Sequence, residues 1–202
     1  MYERYIKRLL DIVLSLLGML VLLLPMAVFA LITVLDSPGP VFFLQKRVGI
    51  HKTYFNIIKL RSMPVRAPHD VPTHQLANAE AMLTPWQRWI RRSSIDELPQ
   101  ILCIFLGQMS IVGPRPALWN QYDLITERDK YGANDVRPGL TGWAQINGRD
   151  ELPIPVKARL DGEYVQKMSF GFDLKCFFGT FLSVLRRDGV REGAPEEEKK
   201  DA

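Results

Sequence analysis

From Ile12 to Leu35 the chain reads IVLSLLGMLVLLLPMAVFALITVL, 24 residues without a charge and with one proline, Pro25, near the middle. No other feature restricts the fold as strongly. A helix of that length measures about 36 Å, enough to cross a hydrocarbon core of about 30 Å. The length of the run, and the lack of a small-residue cleavage site after it, argue against a secretory signal. Proline removes one helical hydrogen bond and crowds the preceding turn, so a kink is expected at Pro25. Arg4, Lys7 and Arg8 precede the run, and Lys46 and Arg47 follow it. Basic flanks favour the cytoplasmic side, and here both flanks are basic. Two topologies meet these facts. One is a single-pass anchor that tolerates its proline. The other is a re-entrant helix that breaks at Pro25 and returns to the same face. Its arms would hold about 13 and 10 residues, each short of the roughly 20 needed to cross.

The remaining bounds are consistent with a membrane-surface protein. The 202 residues fit one domain. Net charge is +4, yet the closing PEEEKKDA sets three Glu and one Asp against two Lys, so the preceding chain carries +6. Such an excess suits a phosphate, nucleotide or lipid headgroup. Cys103 and Cys176 are the only cysteines, and His51, His69 and His74 show no ligand spacing. That excludes a disulfide framework and a zinc site, and fits a reducing, cytosol-facing compartment.

Beyond Asp36, DSPGP stops the helix. The runs Val41 to Gln45 and Thr53 to Lys59, joined by KRVGIHK, predict a hairpin. MPVRAPHDVPTHQ reads as a mobile loop. Thr84-Pro85 opens a helix, with Thr84 as cap and Pro85 in the first position. Trp86, Trp89 and Ile90 share one face of it, suited to a core or a membrane interface. FGFDLKCFFGTFLSVLRR predicts another helix, buried or lying in the membrane plane with its arginines at the headgroups. The acidic tail after Gly193 reads as disordered.

The most informative polar stretch is RRSSIDELPQ, Arg91 to Gln100. Ser94 and Glu97 have capping-box spacing. Pro99 is better placed if Asp96 is the cap, because its missing N–H then loses no bond. Either frame puts Asp96 at a helix start, where a carboxylate stays ionised and phosphate is attracted. An ionised aspartate beside an anion site is also what aspartyl-phosphate chemistry requires. Two further stretches, SIVGPRP (Ser110 to Pro116) and VRPGLTGWAQINGR (Val136 to Arg149), are rich in Gly, Pro and Arg. Such loops present backbone N–H groups and guanidinium forks to phosphate oxygens, or serve as tight structural turns.

KLRSM (Lys59 to Met63), RRSSIDELPQ, MSIVGPRP, RPGLTGWAQINGR and DLK (Asp173 to Lys175) together make the chain resemble the bacterial sugar transferases, the monotopic polyprenol-phosphate phosphoglycosyl transferases. The resemblance extends from YERYIKRLLDIVLSLLG to LRRDGVREG, and the length matches the family's minimal form. It implies an α/β, mostly helical fold: a re-entrant membrane helix over residues 1–37, then a catalytic domain over 38–193 with a small β-hairpin and amphipathic helices at the membrane surface, then a tail over 194–202. It implies transfer of a phosphosugar from a UDP-sugar to polyprenol (undecaprenyl) phosphate, releasing UMP, as the first membrane step of surface glycan or glycoprotein synthesis. Asp96 would be the nucleophile through a covalent aspartyl phosphosugar. Glu97 would orient it or help Asp96 hold Mg²⁺. Lys59, Arg91, Arg115 and Arg149 match positions near the phosphates, and Asp161 and Asp173 match further polar positions. The location implied is the cytoplasmic face of the bacterial inner membrane, among membrane lipids, with no nucleic-acid partner and with room for a homo-oligomer. Relatives commonly carry Ser-Pro at the helix break. Here it is Leu24-Pro25, which removes a hydroxyl able to bond a freed carbonyl.

Two rival classes are distinguishable. Neither an aspartyl phosphatase nor a metal-dependent glycosyltransferase is supported, because no D-x-D occurs. A non-enzymatic anchored adaptor would explain the apolar run and the basic surface, but not the Arg/Gly/Pro loops.

Overall fold

The computed structural model describes residues 1–68, 80–148 and 152–186. Arg149, the acidic tail beyond Gly193 and residues 69–75 of the proline-rich loop lie outside the described residues. The chain is mostly helical, with two small sheets.

After a π-helical turn, Tyr2–Lys7, helix α1 runs from Arg8 to Asp36. The break expected at Pro25 does not divide it, for the helix is continuous with the proline inside. The missing N–H forfeits one bond, to the Val21 carbonyl, within a leucine-rich segment of high helix propensity. Leu23 and Leu24 are 73% and 75% exposed. So much contiguous exposed apolar surface marks a membrane-contacting element. α1 is the one helix among the described residues long and apolar enough to cross a bilayer.

Both ends of α1 are fastened to the same body. At its start, Arg8 donates to the carbonyls of Ile104 and Phe105, each at 2.7 Å. Asp11 accepts from Ser110 Oγ at 3.1 Å and from the Ile111 N–H at 2.9 Å. At its end, Thr33 accepts from Trp86 Nε1 at 3.2 Å and Asp36 from Thr84 Oγ1 at 2.7 Å. Arg61 donates to the Ser37 carbonyl and, at 3.3 Å, to that of Pro38. These bonds hold the basic N-terminal flank and the C-terminal end of the apolar run on one structural unit.

Strands β1 (Phe42–Val48) and β2 (Tyr54–Leu60) form the expected hairpin, pairing antiparallel from Phe42↔Leu60 to Val48↔Tyr54. The first strand is longer than its composition predicts and includes Lys46, Arg47 and Val48. The reason is tertiary: the Val48 N–H bonds the Ala117 carbonyl at 3.0 Å, and Arg47 Nη1 bonds that of Pro116, also at 3.0 Å. A distant loop thus extends the strand. Helix α2 (Pro85–Arg92) opens as expected, with a full capping box between Thr84 and Gln87 and Pro85 in the first turn. A 3-10 segment, Ile95–Gln100, leads into α3 (Ile101–Phe105). Ile57, Cys103, Ile104 and Met109 form a core beneath the hairpin.

The strands β3 (Ser110–Val112) and β4 (Gly139–Thr141) pair in parallel, with α4 (Tyr122–Asp129) between them. This pairing absorbs both Gly/Pro loops. The Gly113 N–H bonds the Thr141 carbonyl and the Gly139 N–H that of Pro114, each at 2.8 Å. A Cβ at Gly139 would lie 2.1 Å from Gly113 N. These glycines therefore let two backbones touch, and their N–H groups donate to carbonyls of the facing segment. α5 (Trp143–Ile146), α6 (Ile154–Lys167) and α7 (Phe170–Arg186) complete the body. α7 buries Cys176, Asp173 and Ser183 while Phe170, Phe178 and Leu182 remain exposed, so it has a core face and an apolar outer face.

Candidate active site

Three separate segments converge on the Asp96–Glu97 pair. Lys59 stands at the end of β2, with Ser62 three residues beyond. Arg91 lies in the last turn of α2, and Arg115 in the loop after β3. The acidic pair occupies the 3-10 segment. Ser94 precedes it in the left-handed region, φ 57°, and makes no side-chain cap bond. Neither capping frame is realised. Ser94 instead supplies a tight turn that redirects the chain after α2, and the carboxylates bond partners from other elements. A non-glycine residue held there carries strain of order 1 kcal/mol, a pattern that clusters at functional sites.

Glu97 is held by two cations. Arg115 binds it through both guanidinium ends, Nη2 to Oε1 at 2.6 Å and Nη1 to Oε2 at 3.0 Å. Lys59 Nζ approaches Oε1 at 2.8 Å. Burial opposes ionisation of Glu97, but Arg115 and Lys59 outweigh it and keep the group well below the usual carboxylate range. The Lys59 ammonium is pushed down by burial, against the attraction of Glu97. Asp96 is in the opposite situation. It is 6% exposed, and its Oδ2 accepts from Ser62 Oγ at 2.9 Å. Burial pushes it up to about 6, with Glu97 adding to the rise and Lys59, Arg91 and Ser62 resisting it. Two adjacent carboxylates are thereby driven apart, a signature of functional sites. Arg91 Nη1 lies 3.5 Å from the same Ser62 oxygen.

Ser62 was not singled out by sequence reasoning, although it lies inside the quoted KLRSM motif. Its role becomes visible only when β2 is laid beside the 3-10 segment. Its neighbour Arg61 clamps the carbonyls that end α1. The chain of contacts from the membrane helix to Asp96 is therefore Ser37, Arg61, Ser62.

The other nominated aspartates are engaged elsewhere. Asp161 is 1% exposed and accepts from Arg128 Nε and Nη2 at 2.8 and 2.6 Å. Asp173 accepts from Lys7 Nζ at 2.5 Å and from the hydroxyls of Tyr2 and Tyr164, each at 2.7 Å. Among the described residues, neither bonds Asp96 or Glu97.

No group of three or more His, Cys, Asp or Glu able to cage a metal occurs among the described residues. A magnesium ion does not need one, since it binds through one or two carboxylates with water and substrate phosphates. Among the described residues, Asp96 Oδ1 accepts no hydrogen bond and Glu97 Oε2 accepts one. This hard-oxygen donor set fits an ion that arrives with a diphosphate.

Comparison with known proteins agrees with this geometry. Residues 2–187 match the bacterial sugar transferase family. The chain is 42% identical to an uncharacterized sugar transferase, EpsL, of Bacillus subtilis over 154 residues, covering 76% of this chain and 74% of the relative. It is 41% identical to the undecaprenyl-phosphate glucose phosphotransferase of Komagataeibacter xylinus, covering 86% of this chain and 35% of the relative. It is 31% identical to the undecaprenyl-phosphate galactose phosphotransferase of Salmonella typhimurium, covering 93% of this chain and 42% of the relative. The chain thus spans well under half the length of the latter two. With the acidic pair, its cations and the apolar helix gathered as described, and with this match along nearly its whole length, the chain belongs to the bacterial sugar transferase family.

Proposed function

We propose that this protein transfers a phosphosugar from a UDP-sugar to polyprenol phosphate, with Asp96 as the nucleophile. The observation that carries the reading is the position of Asp96. It is a buried carboxylate oriented by Ser62, beside the cations that hold Glu97, and Ser62 is the chain neighbour of Arg61, which clamps the end of the membrane helix.

In the first step Asp96 Oδ1 bonds to the β-phosphorus of the donor. The bond from that phosphorus to the bridging oxygen breaks, and the electron pair leaves with UMP. In the second step an oxygen of polyprenol phosphate attacks the same phosphorus and displaces the carboxylate. The products are polyprenol diphosphosugar and regenerated Asp96. Ser62 holds Oδ2 so that Oδ1 faces the donor. Arg115 and Lys59 keep Glu97 ionised, and with Arg91 they place positive charge where the transferring phosphoryl group develops negative charge. Mg²⁺, held by Asp96 and Glu97, would offset diphosphate charge and polarise the phosphorus. Arg149, by its place in the RPGLTGWAQINGR motif, would join them at the same phosphates. With both ends of α1 on one body, an unbroken α1 that bends at Pro25 would dip into the cytoplasmic leaflet of the inner membrane and return, which would leave Asp96 within reach of a lipid phosphate.

The test supplies a panel of UDP-sugars with and without polyprenol phosphate. UMP should be released, and donor alone should leave a phosphosugar mass on the peptide containing Asp96, with ping-pong kinetics. Release of UDP would mean glycosyl transfer. Strictly sequential kinetics without an adduct would mean direct attack by the lipid phosphate. No nucleotide product from any donor would leave the adaptor reading standing.

A further inference from the structure

Two neighbouring side chains just past β2 serve different parts of the protein. Ser62 Oγ donates to Asp96 Oδ2 at 2.9 Å. Arg61 donates to the Ser37 carbonyl and, at 3.3 Å, to that of Pro38, where α1 ends. Strand pairing stops at Leu60, so the ladder that fixes β2 falls short of both residues. Beyond it the Arg61 N–H bonds the Val41 carbonyl at 2.9 Å. Arg61 thus ties the chain down through backbone and side chain immediately before Ser62. A second route from α1 meets Ser62 from the other direction. Thr84, the cap of α2, bonds Asp36 at 2.7 Å, and Arg91 in the last turn of α2 brings Nη1 to 3.5 Å from Ser62 Oγ.

Arg61 is also an expensive residue to hold there. It is 4% exposed, its Nε–H is buried with no hydrogen-bond partner among the described residues, and no carboxylate among them pairs with it. A buried guanidinium is costly unless something offsets its charge. The offset here is the end of α1, where carbonyl groups gather about half a negative charge. A helix end that needed only a cap could be closed by water or a local turn. We infer that Arg61 is a positioning residue for the nucleophile, making the orientation of Asp96 depend on the seating of the C-terminal end of α1. The inference rests on the proposed reaction, with Asp96 as nucleophile. With α1 seated, Arg61 is held, Ser62 stands against Asp96 and Oδ1 faces the donor. With that end displaced, Arg61 is left buried without its carbonyl partners and moves toward water, drawing Ser62 with it. Asp96 keeps its carboxylate but loses the bond that aims it. Misplacing a reacting group by about 1 Å costs on the order of 100-fold in rate. In this role Arg61 touches no substrate, so its loss slows the chemical step and leaves donor binding unchanged.

The experiment follows adduct formation in a single turnover, using the full chain in detergent micelles and a UDP-sugar donor that is turned over, with no acceptor added. The rate constant reports only on folded protein, while the amplitude and thermal unfolding report how much is folded. Arg61→Gln should lower the maximal rate constant about 10- to 100-fold and leave the half-saturating donor concentration within about twofold. Arg61→Lys keeps the charge and one donor, and should recover part of the loss. Ser62→Ala should be slow in the same way. Because both changes act through one bond, adding Arg61→Gln to Ser62→Ala should slow the reaction by no more than about twofold further. Multiplying effects in the double variant would overturn the inference, as would an unchanged rate constant with only amplitude and Tm reduced. A rise in half-saturating donor at an unchanged maximal rate would make Arg61 a donor contact and overturn it too. In each of these cases the wild-type adduct still forms and the reaction stands. Absence of both UMP and adduct in the wild-type protein would instead remove the reaction, and the positioning role with it.

Discussion

Asp96→Asn should stabilise the protein while abolishing turnover. Burial raises the folded-state value of Asp96 from an ordinary 3.8 to about 6. The unfolded chain therefore loses this proton at lower pH than the folded one, and ionisation favours unfolding. The contribution of Asp96 to stability is full below about pH 4 and is lost as pH rises through about 6. A shift of about two units corresponds to about 3 kcal/mol. Asparagine has the same shape and a carbonyl that can accept the Ser62 hydrogen bond, yet it never ionises. The attraction of Lys59 and Arg91 for the carboxylate is already contained in the shift, so the gain at pH 8 is about 2–3 kcal/mol. For a chain of this length that is a rise of roughly 5–10 °C in Tm. The assay is thermal unfolding of both proteins in detergent micelles between pH 4 and pH 8. The gap should be widest at pH 8 and nearly close toward pH 4, where folded wild-type Asp96 is protonated and the unfolded chain is only partly ionised. Glu97 shifts in the opposite direction, but it is present in both proteins and cancels in the difference. A variant less stable than wild type at pH 8, or a gap independent of pH, would refute the argument that the nucleophile is held ionised at a cost to folding.

The remaining predictions concern chemistry, packing and topology. With Asp96 as the proposed nucleophile, the rate of UMP release should be flat above about pH 7 and fall about tenfold per unit below about pH 6; a limb near pH 4 would place the nucleophile in a solvated environment. Asp161→Asn removes the counter-charge of buried Arg128 and should cost about 3–5 kcal/mol in unfolding experiments. If Asp161 instead contacts substrate, stability will hold and donor KM will rise. Cysteines introduced at Tyr2 and Ser37, with Cys103 and Cys176 removed, should label only from the cytoplasmic side of sealed vesicles. Labelling of Tyr2→Cys from the opposite face would establish a span.

The apolar helix, the hairpin, the Thr84-Pro85 helix start and the placing of Asp96–Glu97 near a helix start were legible in the sequence because each is a local property. Continuity of apolar residues, alternation, a cap and a proline all act within a few positions. Local reasoning failed at Ser94. Its spacing to Glu97 matched a capping box, but the left-handed turn there leaves the cap unmade and the two carboxylates free to bond distant groups. It left SIVGPRP and RPGLTG open between phosphate-facing loops and tight structural turns, and only the pairing of β3 with β4 shows their glycines bringing two backbones into contact.

By itself, then, the sequence determined which segment is apolar enough to seek a membrane and which acidic pair is the candidate for the chemistry. Only the tertiary structure decided how that pair is divided. Lys59 and Arg115 reach Glu97 across 38 and 18 residues of chain, and Ser62 reaches Asp96 across 34. The physical reason is that the two adjacent carboxylates have similar intrinsic acidities, with the aspartate ordinarily the slightly stronger acid. What separates them is burial and the charges brought close by folding, which hold Glu97 as a fixed anion and leave Asp96 poised near neutral pH.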